Sequence, residues 1–224
     1  MELPTGIVKA STKSPKRLLL YSPPKCGKTT AVSMLENSLL IDLENGSDFV
    51  DAVKIKISTL EELSALTKAI KSKTTAPYRY GIVDTTTKLE EMVLPLAADM
   101  YRATPMGINW GKLPGGKPDP DANILTLPNG GGYLYLREAY TRVSNAIDSC
   151  FERVIYLGHL KDKVLEKAGK EVSAKDIDLT GKIRNIACAN ADAIGYMYRE
   201  GNKTMISFKT AQDIICGARP ELLS

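Results

Sequence analysis

The chain has 224 residues, of which 43% are hydrophobic and 25% charged, and it carries a net charge of +4 at pH 7. This composition is typical of a globular protein and excludes a collagen-like or intrinsically disordered chain. The net charge is too small to indicate a nucleic-acid or membrane partner, so such a partner has to be argued from local sites.

Cysteines and the N-terminus indicate where the protein works. The 4 cysteines are far apart and there is 1 histidine, which argues against a zinc site. The N-terminus has an acid at position 2 and no apolar run, and no stretch approaches the roughly 18 apolar residues of a membrane span. We therefore expect a single domain over 1–224 with an N-terminal extension at 1–16, reduced thiols, no membrane contact and a cytoplasmic location.

Strands and helices alternate along the first hundred residues. The apolar run Leu18–Tyr21 predicts a strand, and a turn of small residues separates it from a helical stretch that starts at Lys28 and reaches Asn37. Three more strands are predicted at Ser38–Leu43, Val53–Ile57 and Tyr80–Asp84. Two helices are predicted, one from Thr59 to about Lys71 with a capping box of Ser58 and Glu61, and one from about Lys88 to Tyr101 that Pro95 kinks or breaks.

The second half of the chain contains two polar or glycine-rich stretches. Residues 104–132 hold 5 of the 12 prolines and 7 of the 17 glycines, which predicts a long mobile loop. The polar stretch at 160–180 is predicted to be a second mobile loop. The other predicted elements are a helix at Tyr133–Cys150, a strand at Arg153–Leu157, a short helix at 180–189, and a hairpin in which Ala191–Arg199 pairs with Lys203–Phe208. This order predicts an α/β fold with a mainly parallel central sheet, helices on its faces and a C-terminal β-hairpin.

One motif carries a specific chemistry. Ser22 to Thr30 read Ser-Pro-Pro-Lys-Cys-Gly-Lys-Thr-Thr, which matches the phosphate-binding loop G-x-x-x-x-G-K-[ST] except that Ser22 replaces the first glycine. In such a loop, N–H groups at a helix start surround phosphate oxygens, while Lys28 reaches the β and γ phosphates and Thr29 offers its hydroxyl to Mg²⁺. The sequence thus predicts an ATP and Mg²⁺ site whose nucleotide-binding residues are Ser22, Pro23, Pro24, Lys25, Cys26, Gly27, Lys28, Thr29 and Thr30. Pro23 and Pro24 have no N–H, so the donors should come from Lys25 onward.

A metal held by a phosphate loop needs a carboxylate from the end of another buried strand. Asp84 ends the apolar stretch Tyr-Gly-Ile-Val-Asp and is the predicted residue. A helix N-cap is the alternative role for Asp84, because a predicted helix follows it and Thr85.

The order of these features resembles the ATPase core of RecA-like recombinases. It is more similar to the RecA-like nucleotide-binding proteins of phages, some of which act in single-strand annealing and recombination. The resemblance covers residues 17–210 in element order and implies a RecA-like P-loop NTPase core. If the protein is phage-encoded, its location is the cytoplasm of a bacterial host.

The resemblance implies two further catalytic residues beside Lys28. Glu44 matches the glutamate that polarises the attacking water, since hydrolysis needs a carboxylate near the γ phosphate. Asp42 competes for this role, and a solvated turn acid remains the alternative for Glu44 beside Asn45 and Gly46. His159 matches a polar residue that senses the γ phosphate at the end of its strand, where a partly exposed polar residue without function is the alternative.

The resemblance also implies partners. In the family, two loops line the DNA-binding axis of a filament, and they would correspond here to 104–132 and 160–180. The residues that could stack on or neutralise single-stranded DNA are Trp110, Lys112, Lys117, Lys161, Lys163 and Lys167, although acids in the second loop make a solvated face an equal alternative. A homo-oligomer, as a filament or a ring, is expected, with Arg219, Lys209 or Lys203 as the cation that completes a neighbour's site.

Taken together, the sequence predicts an ATP-hydrolysing protein that acts on single-stranded DNA in phage recombination, annealing or replication. A P-loop kinase of a nucleoside, nucleotide or other metabolite is the first alternative, since 104–132 could close as a lid over an acceptor. A scaffold that binds ATP as a switch without hydrolysing it is the second, because Ser22 and the two prolines make the loop less typical.

Overall fold

The computed structural model describes residues 13–117, 119, 121–167, 170–210 and 214–223, with the backbone alone for 163–167 and 170–173. Most of the predicted N-terminal extension therefore lies outside the described residues. Two of the proposed DNA contacts, the side chains of Lys163 and Lys167, also lie outside them.

A largely parallel sheet forms the centre of the molecule. In the described residues its strands are β1 (Arg17–Ser22), β2 (Ser38–Asp42), β3 (Lys54–Lys56), β4 (Tyr80–Asp84), β5 (Arg153–Lys167), β6 (Lys170–Ile177), β7 (Ala193–Glu200), β8 (Lys203–Ser207) and β9 (Gly217–Ala218). The spatial order is β3-β2-β4-β5-β1-β7-β8, with β6 beside β5 and β9 beside β7. The pairs from β3 to β7 are parallel, and β7 with β8 forms an antiparallel hairpin. The predicted α/β fold and its C-terminal hairpin are confirmed.

Helices cover the sheet. The described helices are α1 (Lys28–Ser33), α2 (Leu60–Lys71), α3 (Thr86–Met92), α4 (Leu94–Arg102), α5 (Gly132–Asp148) and α6 (Gly181–Asn190), with short 3-10 turns at Ser47–Phe49, Ile124–Thr126, Pro128–Gly130 and Glu221–Leu223. Pro95 lies in the first turn of α4, where a missing N–H costs no hydrogen bond, so the predicted break between two helices is confirmed. None of the helices in the described part is both long and apolar enough to cross a membrane.

The core lies on both faces of the parallel strands, as expected when helices cover each face. All five residues of β2 are buried, and Ile82 and Val83 of β4 are completely inaccessible. Side chains from α3, α4, α5 and α6 pack with the sheet in one large cluster. A smaller cluster on the other face includes Val32, which packs α1 against the sheet.

Three predictions of local structure were wrong. The stretch 160–180 is mostly a β-hairpin: β5 continues past His159 to Lys167, and β6 returns antiparallel to it. The capping box of α2 is formed by Thr59 and Glu62, one residue later than Ser58 and Glu61. The first helix is also shorter than predicted, because α1 ends at Ser33.

In the part of 104–132 that the structure describes, which leaves out 118 and 120, turns and short 3-10 helices predominate. Ile124 of this segment is buried in the large core cluster, and Gly132 lies so close to it that an added Cβ would be 1.8 Å from the Ile124 carbonyl oxygen. The mobility predicted for this segment stays a prediction.

Candidate functional site

The sheet order brings the predicted site residues to one edge. β5 lies between β1 and β4, and all three are parallel, so their carboxyl ends meet. In the register of the sheet, Ser22 at the end of β1 lies opposite His159, and Asp84 at the end of β4 lies opposite Asp42. The loop that leaves β1 therefore approaches side chains from two strands that are distant in sequence.

The loop after β1 has the backbone of an anion-binding turn. Lys25 and Gly27 both adopt left-handed conformations, with φ of 59° and 89°. Such turns point successive N–H groups into a concavity. No side chain caps α1. The first helical hydrogen bond runs from the Ala31 N–H to the Gly27 carbonyl oxygen at 3.0 Å. The preceding N–H groups at the helix start are thus available to a ligand.

Lys28 is buried beneath this loop. Its ammonium donates to the Ser22 hydroxyl at 3.2 Å, and Ser22 in turn donates to the Pro23 carbonyl oxygen at 2.7 Å. Burial lowers the pKa of Lys28, while the neighbouring carboxylates of Asp84 and Glu44 oppose that change. Ser22, which departs from the glycine of the motif, therefore holds the lysine at the mouth of the loop. Sequence analysis missed this role of the hydroxyl.

Thr29 and Asp84 meet directly. The Thr29 hydroxyl donates to Asp84 Oδ2 at 2.6 Å. Burial raises the pKa of Asp84, and the hydrogen bond from Thr29 acts in the opposite direction. A hydroxyl and a carboxylate oxygen at this spacing are the hard oxygen donors that Mg²⁺ takes together with water and phosphate, so the residues present fit the ion.

Asp84 is not a helix cap. Thr85 caps α3, since its hydroxyl accepts from the Lys88 N–H at 3.1 Å. The buried Asp84 carboxylate is therefore free of the structural role that the sequence left open, and among the described residues it accepts a hydrogen bond from Thr29.

Glu44 is held by two neighbours. Its Oε1 accepts from the Thr85 hydroxyl at 2.6 Å and lies 2.8 Å from His159 Nε2. Among the described residues no hydrogen bond reaches its Oε2, and about a third of each side chain, Glu44 and His159, is exposed. The carboxylate is thus oriented but keeps one oxygen open, which does not match a freely solvated turn acid. Sequence analysis did not identify Thr85 as the residue that orients it.

Asp42, the competing candidate for water activation, is occupied elsewhere. It is 1% exposed and accepts from the Ser47 hydroxyl and from the N–H groups of Glu44, Gly46 and Ser47. Burial raises its pKa, but these hydrogen bonds outweigh that cost and the net pKa is lowered. Asp42 therefore shapes the turn that presents Glu44, and it does not face the phosphate loop.

The three cations that were candidates to complete a neighbouring subunit's site lie in different places. Arg219 contacts Asp192 and the Ala189 carbonyl oxygen, beside the start of β1 and thus at the opposite end of the sheet from the loop. Lys203 begins β8, and in the next residue the Thr204 hydroxyl donates to the Cys26 carbonyl oxygen at 3.4 Å. Lys209 lines a cavity beside the phosphate loop. Of the three, Lys203 and Lys209 are near the loop within one chain.

The side chains predicted to contact DNA also differ in their surroundings. Trp110 packs edge-on against Tyr101, with ring centroids 5.4 Å apart, and the Arg102 guanidinium covers its ring at 5.3 Å. Lys112 and Lys117 are exposed. Lys161 lies 3.3 Å from the Asp178 carboxylate. The ring of Trp110 is therefore partly occupied by its own neighbours.

Comparison with known proteins gives three results. A model of the family described as AAA domain matches residues 14–219. Among solved structures, the RadB recombinase is similar with a TM-score of 0.44 and 12% sequence identity, over 88% of this chain and 82% of that chain. No curated protein matches the sequence.

Proposed function

The chain belongs to the AAA domain family, and from that premise we propose that it binds ATP with Mg²⁺ and hydrolyses it. The observation that carries the proposal is the convergence of Lys28, the Thr29–Asp84 pair and the Glu44–His159 pair at one sheet edge. These are a phosphate cation, two metal ligands and an oriented carboxylate, the set that phosphoryl transfer to water requires.

Each residue has a distinct task. The amides after Lys25 and the Lys28 ammonium bind the phosphate oxygens and stabilise the charge that develops on them. Thr29 and Asp84 would hold Mg²⁺, which neutralises phosphate charge when bound. The open Oε2 of Glu44 orients a water molecule and accepts its proton, while Thr85 and His159 fix the carboxylate through Oε1.

We further propose that the protein acts on single-stranded DNA, as a homo-oligomer, in phage recombination, annealing or replication. The support is the order of the elements and a series of hydrogen bonds that connects the site with the base of the β5–β6 hairpin. The backbone N–H of His159 donates to the Thr87 hydroxyl at 3.3 Å, and the Thr87 hydroxyl donates to the Asp178 carbonyl oxygen at 3.1 Å. Thr180 N–H donates to the buried Glu90 carboxylate. A change at His159 would therefore reach the base of the hairpin.

The test is the rate of ATP hydrolysis with and without single-stranded DNA for three proteins: wild type, Lys28→Ala and Glu44→Gln. We expect Lys28→Ala to lose ATP binding, and Glu44→Gln to bind ATP but hydrolyse it about 100-fold or more slowly. Lys73→Ala, at an exposed position that follows α2 and has no role in the proposed site, is the matched control for a general loss of structure. Equal wild-type rates with and without DNA would contradict the DNA role, and hydrolysis by Glu44→Gln at the wild-type rate would contradict the mechanism.

A further inference from the structure

A cavity of about 560 Å³ lies on the other side of the phosphate loop from Asp84 and Glu44. Its walls come from the outer surface of the loop, the end of β6, β7 and the segment after β8. The cationic residues that line it are Lys25, Lys175, Arg199 and Lys209, and the described lining contains no aspartate or glutamate. Four cations around one cavity repel each other, so an anionic ligand would be stabilised there.

The cavity also contains an aromatic stack. Tyr196 and Tyr198 lie on the same face of β7, with ring planes 13° apart and centroids 5.7 Å apart. Tyr196 is buried, and the Lys175 ammonium lies 5.4 Å from the centre of its ring. Tyr198 is half-buried and forms the outer end of the stack. A planar base can therefore add to the stack at Tyr198 while its phosphate meets the surrounding cations.

The cations of this cavity are available. Lys175 contacts the Tyr196 ring, and no carboxylate among the described residues pairs with Lys25, Lys175 or Lys209. Lys161, in contrast, is engaged by Asp178, and Trp110 is covered by Arg102. The cavity therefore offers a better combination of free positive charge and an accessible ring than the described parts of the two predicted loops.

We propose that this cavity binds a nucleotide unit of single-stranded nucleic acid, with the base on Tyr198 and the phosphate between Lys175 and Lys209. The inference rests on the proposed action on single strands and names the site of contact. Because Pro23, Pro24, Lys25 and Cys26 form one wall, the strand touches the phosphate loop itself. Strand binding and nucleotide binding are thus adjacent on the two sides of one loop.

The experiment measures binding of a labelled oligothymidylate of roughly 15 nucleotides by fluorescence anisotropy at several salt concentrations. We expect Tyr198→Ala to weaken binding about tenfold and Tyr198→Phe, which keeps the ring, to bind as wild type does. Lys175→Ala should weaken binding and reduce the slope of log K against log salt by about 0.7. Lys73→Ala, an exposed lysine that follows α2, is the charge-matched control and should change neither value.

Calorimetry of ATP binding to the same variants separates the possible outcomes. Lys175→Ala and Tyr198→Phe should keep the ATP affinity of the wild type. If Lys175→Ala and Tyr198→Ala weaken ATP binding as much as Lys28→Ala does, the cavity holds part of the loop-bound nucleotide and the inference is overturned. If the wild type binds the oligonucleotide and both cavity variants bind it equally well, the inference fails and the DNA role stands. A wild type that binds no oligonucleotide, with or without ATP, refutes the DNA role itself.

Discussion

At the scale of single residues, Glu44 depends on its neighbours for its orientation. Thr85 donates to Glu44 Oε1 while its oxygen accepts from the Lys88 N–H, so one hydroxyl both caps α3 and positions the carboxylate. The spacing of Glu44 and Thr85 in the sequence gives no sign of this contact. Lys28, Thr29 and Asp84, in contrast, were predictable because a phosphate loop and a strand-end carboxylate are recognisable from adjacent residues alone.

Thr85 is therefore expected to act as a positioning residue. Thr85→Ala should lower the rate of ATP hydrolysis about tenfold, because the carboxylate loses the donor that fixes it. Thr85→Ser keeps the hydroxyl and should restore the rate, while ATP affinity stays near that of the wild type in both variants. Steady-state kinetics with separate kcat and KM values provides the measurement. A Ser variant as slow as the Ala variant would contradict a role of the hydroxyl.

Asp42 stabilises the folded state above its ordinary pKa of 3.8, because hydrogen bonds lower its pKa in the fold. Asp42→Asn should reduce the free energy of unfolding by about 2 kcal/mol at pH 7, since an amide cannot accept all of these hydrogen bonds. The stabilisation from the carboxylate is lost as the pH falls through the folded pKa, so the difference between the two proteins should shrink below 3.8. Urea unfolding of both proteins at several pH values measures this difference in the free energy of unfolding. A difference that stays the same at every pH would refute this explanation.

At the scale of elements, the sequence predicts the buried strands well and the β5–β6 hairpin poorly. Leu18–Tyr21 and Tyr80–Asp84 are apolar runs whose burial follows from composition. The residues of β5 after His159 are mostly charged, and they adopt a strand conformation by pairing with β6. Pairing of this kind depends on the partner strand, so local propensity does not reveal it.

The capping box of α2 shows a different limit of prediction from the sequence. Ser58 with Glu61 and Thr59 with Glu62 both fit the same four-residue pattern, and the structure uses the second pair. Thr59→Ala should lower the free energy of unfolding by about 1 kcal/mol, because the Glu62 N–H loses its acceptor. Ser58→Ala is the matched control and should change stability by less than about 0.5 kcal/mol. Equal losses in the two variants, measured by urea unfolding, would contradict this assignment of the cap.

At the scale of the whole molecule, the site exists because β5 separates β1 from β4. Lys28 and Asp84 are 56 positions apart, and Asp84 and His159 are 75 apart, yet the parallel register places them at one edge. The alternation of strands and helices predicts a parallel sheet, but the order of its strands follows from long-range packing. The roles predicted for Glu44 and His159 follow from the resemblance to RecA-like proteins, because no local pattern of residues indicates them.

Ligand binding at this edge should stabilise the whole domain. With ATP and Mg²⁺ at about 100 times the dissociation constant, the free energy of unfolding should rise by about 2.7 kcal/mol, because the ligand binds the folded state. Lys28→Ala should show no such rise at the same ligand concentration. Thermal unfolding with and without the ligands tests this, and magnesium alone is the control. An equal rise in the Lys28→Ala variant would place the nucleotide elsewhere.

Asp192 contacts the residues at the start of β1 and the segment that contains Arg219, which are the two flanks of the domain. Both lie at the end of the sheet away from the phosphate loop. Its carboxylate accepts from the N–H groups of Lys16 and Arg17 and contacts Arg219. β1 has 6 residues, so these flanks lie roughly 20 Å from the loop. A fluorophore or surface tether attached at either flank would thus leave the opposite edge accessible, which suits single-molecule recordings of turnover.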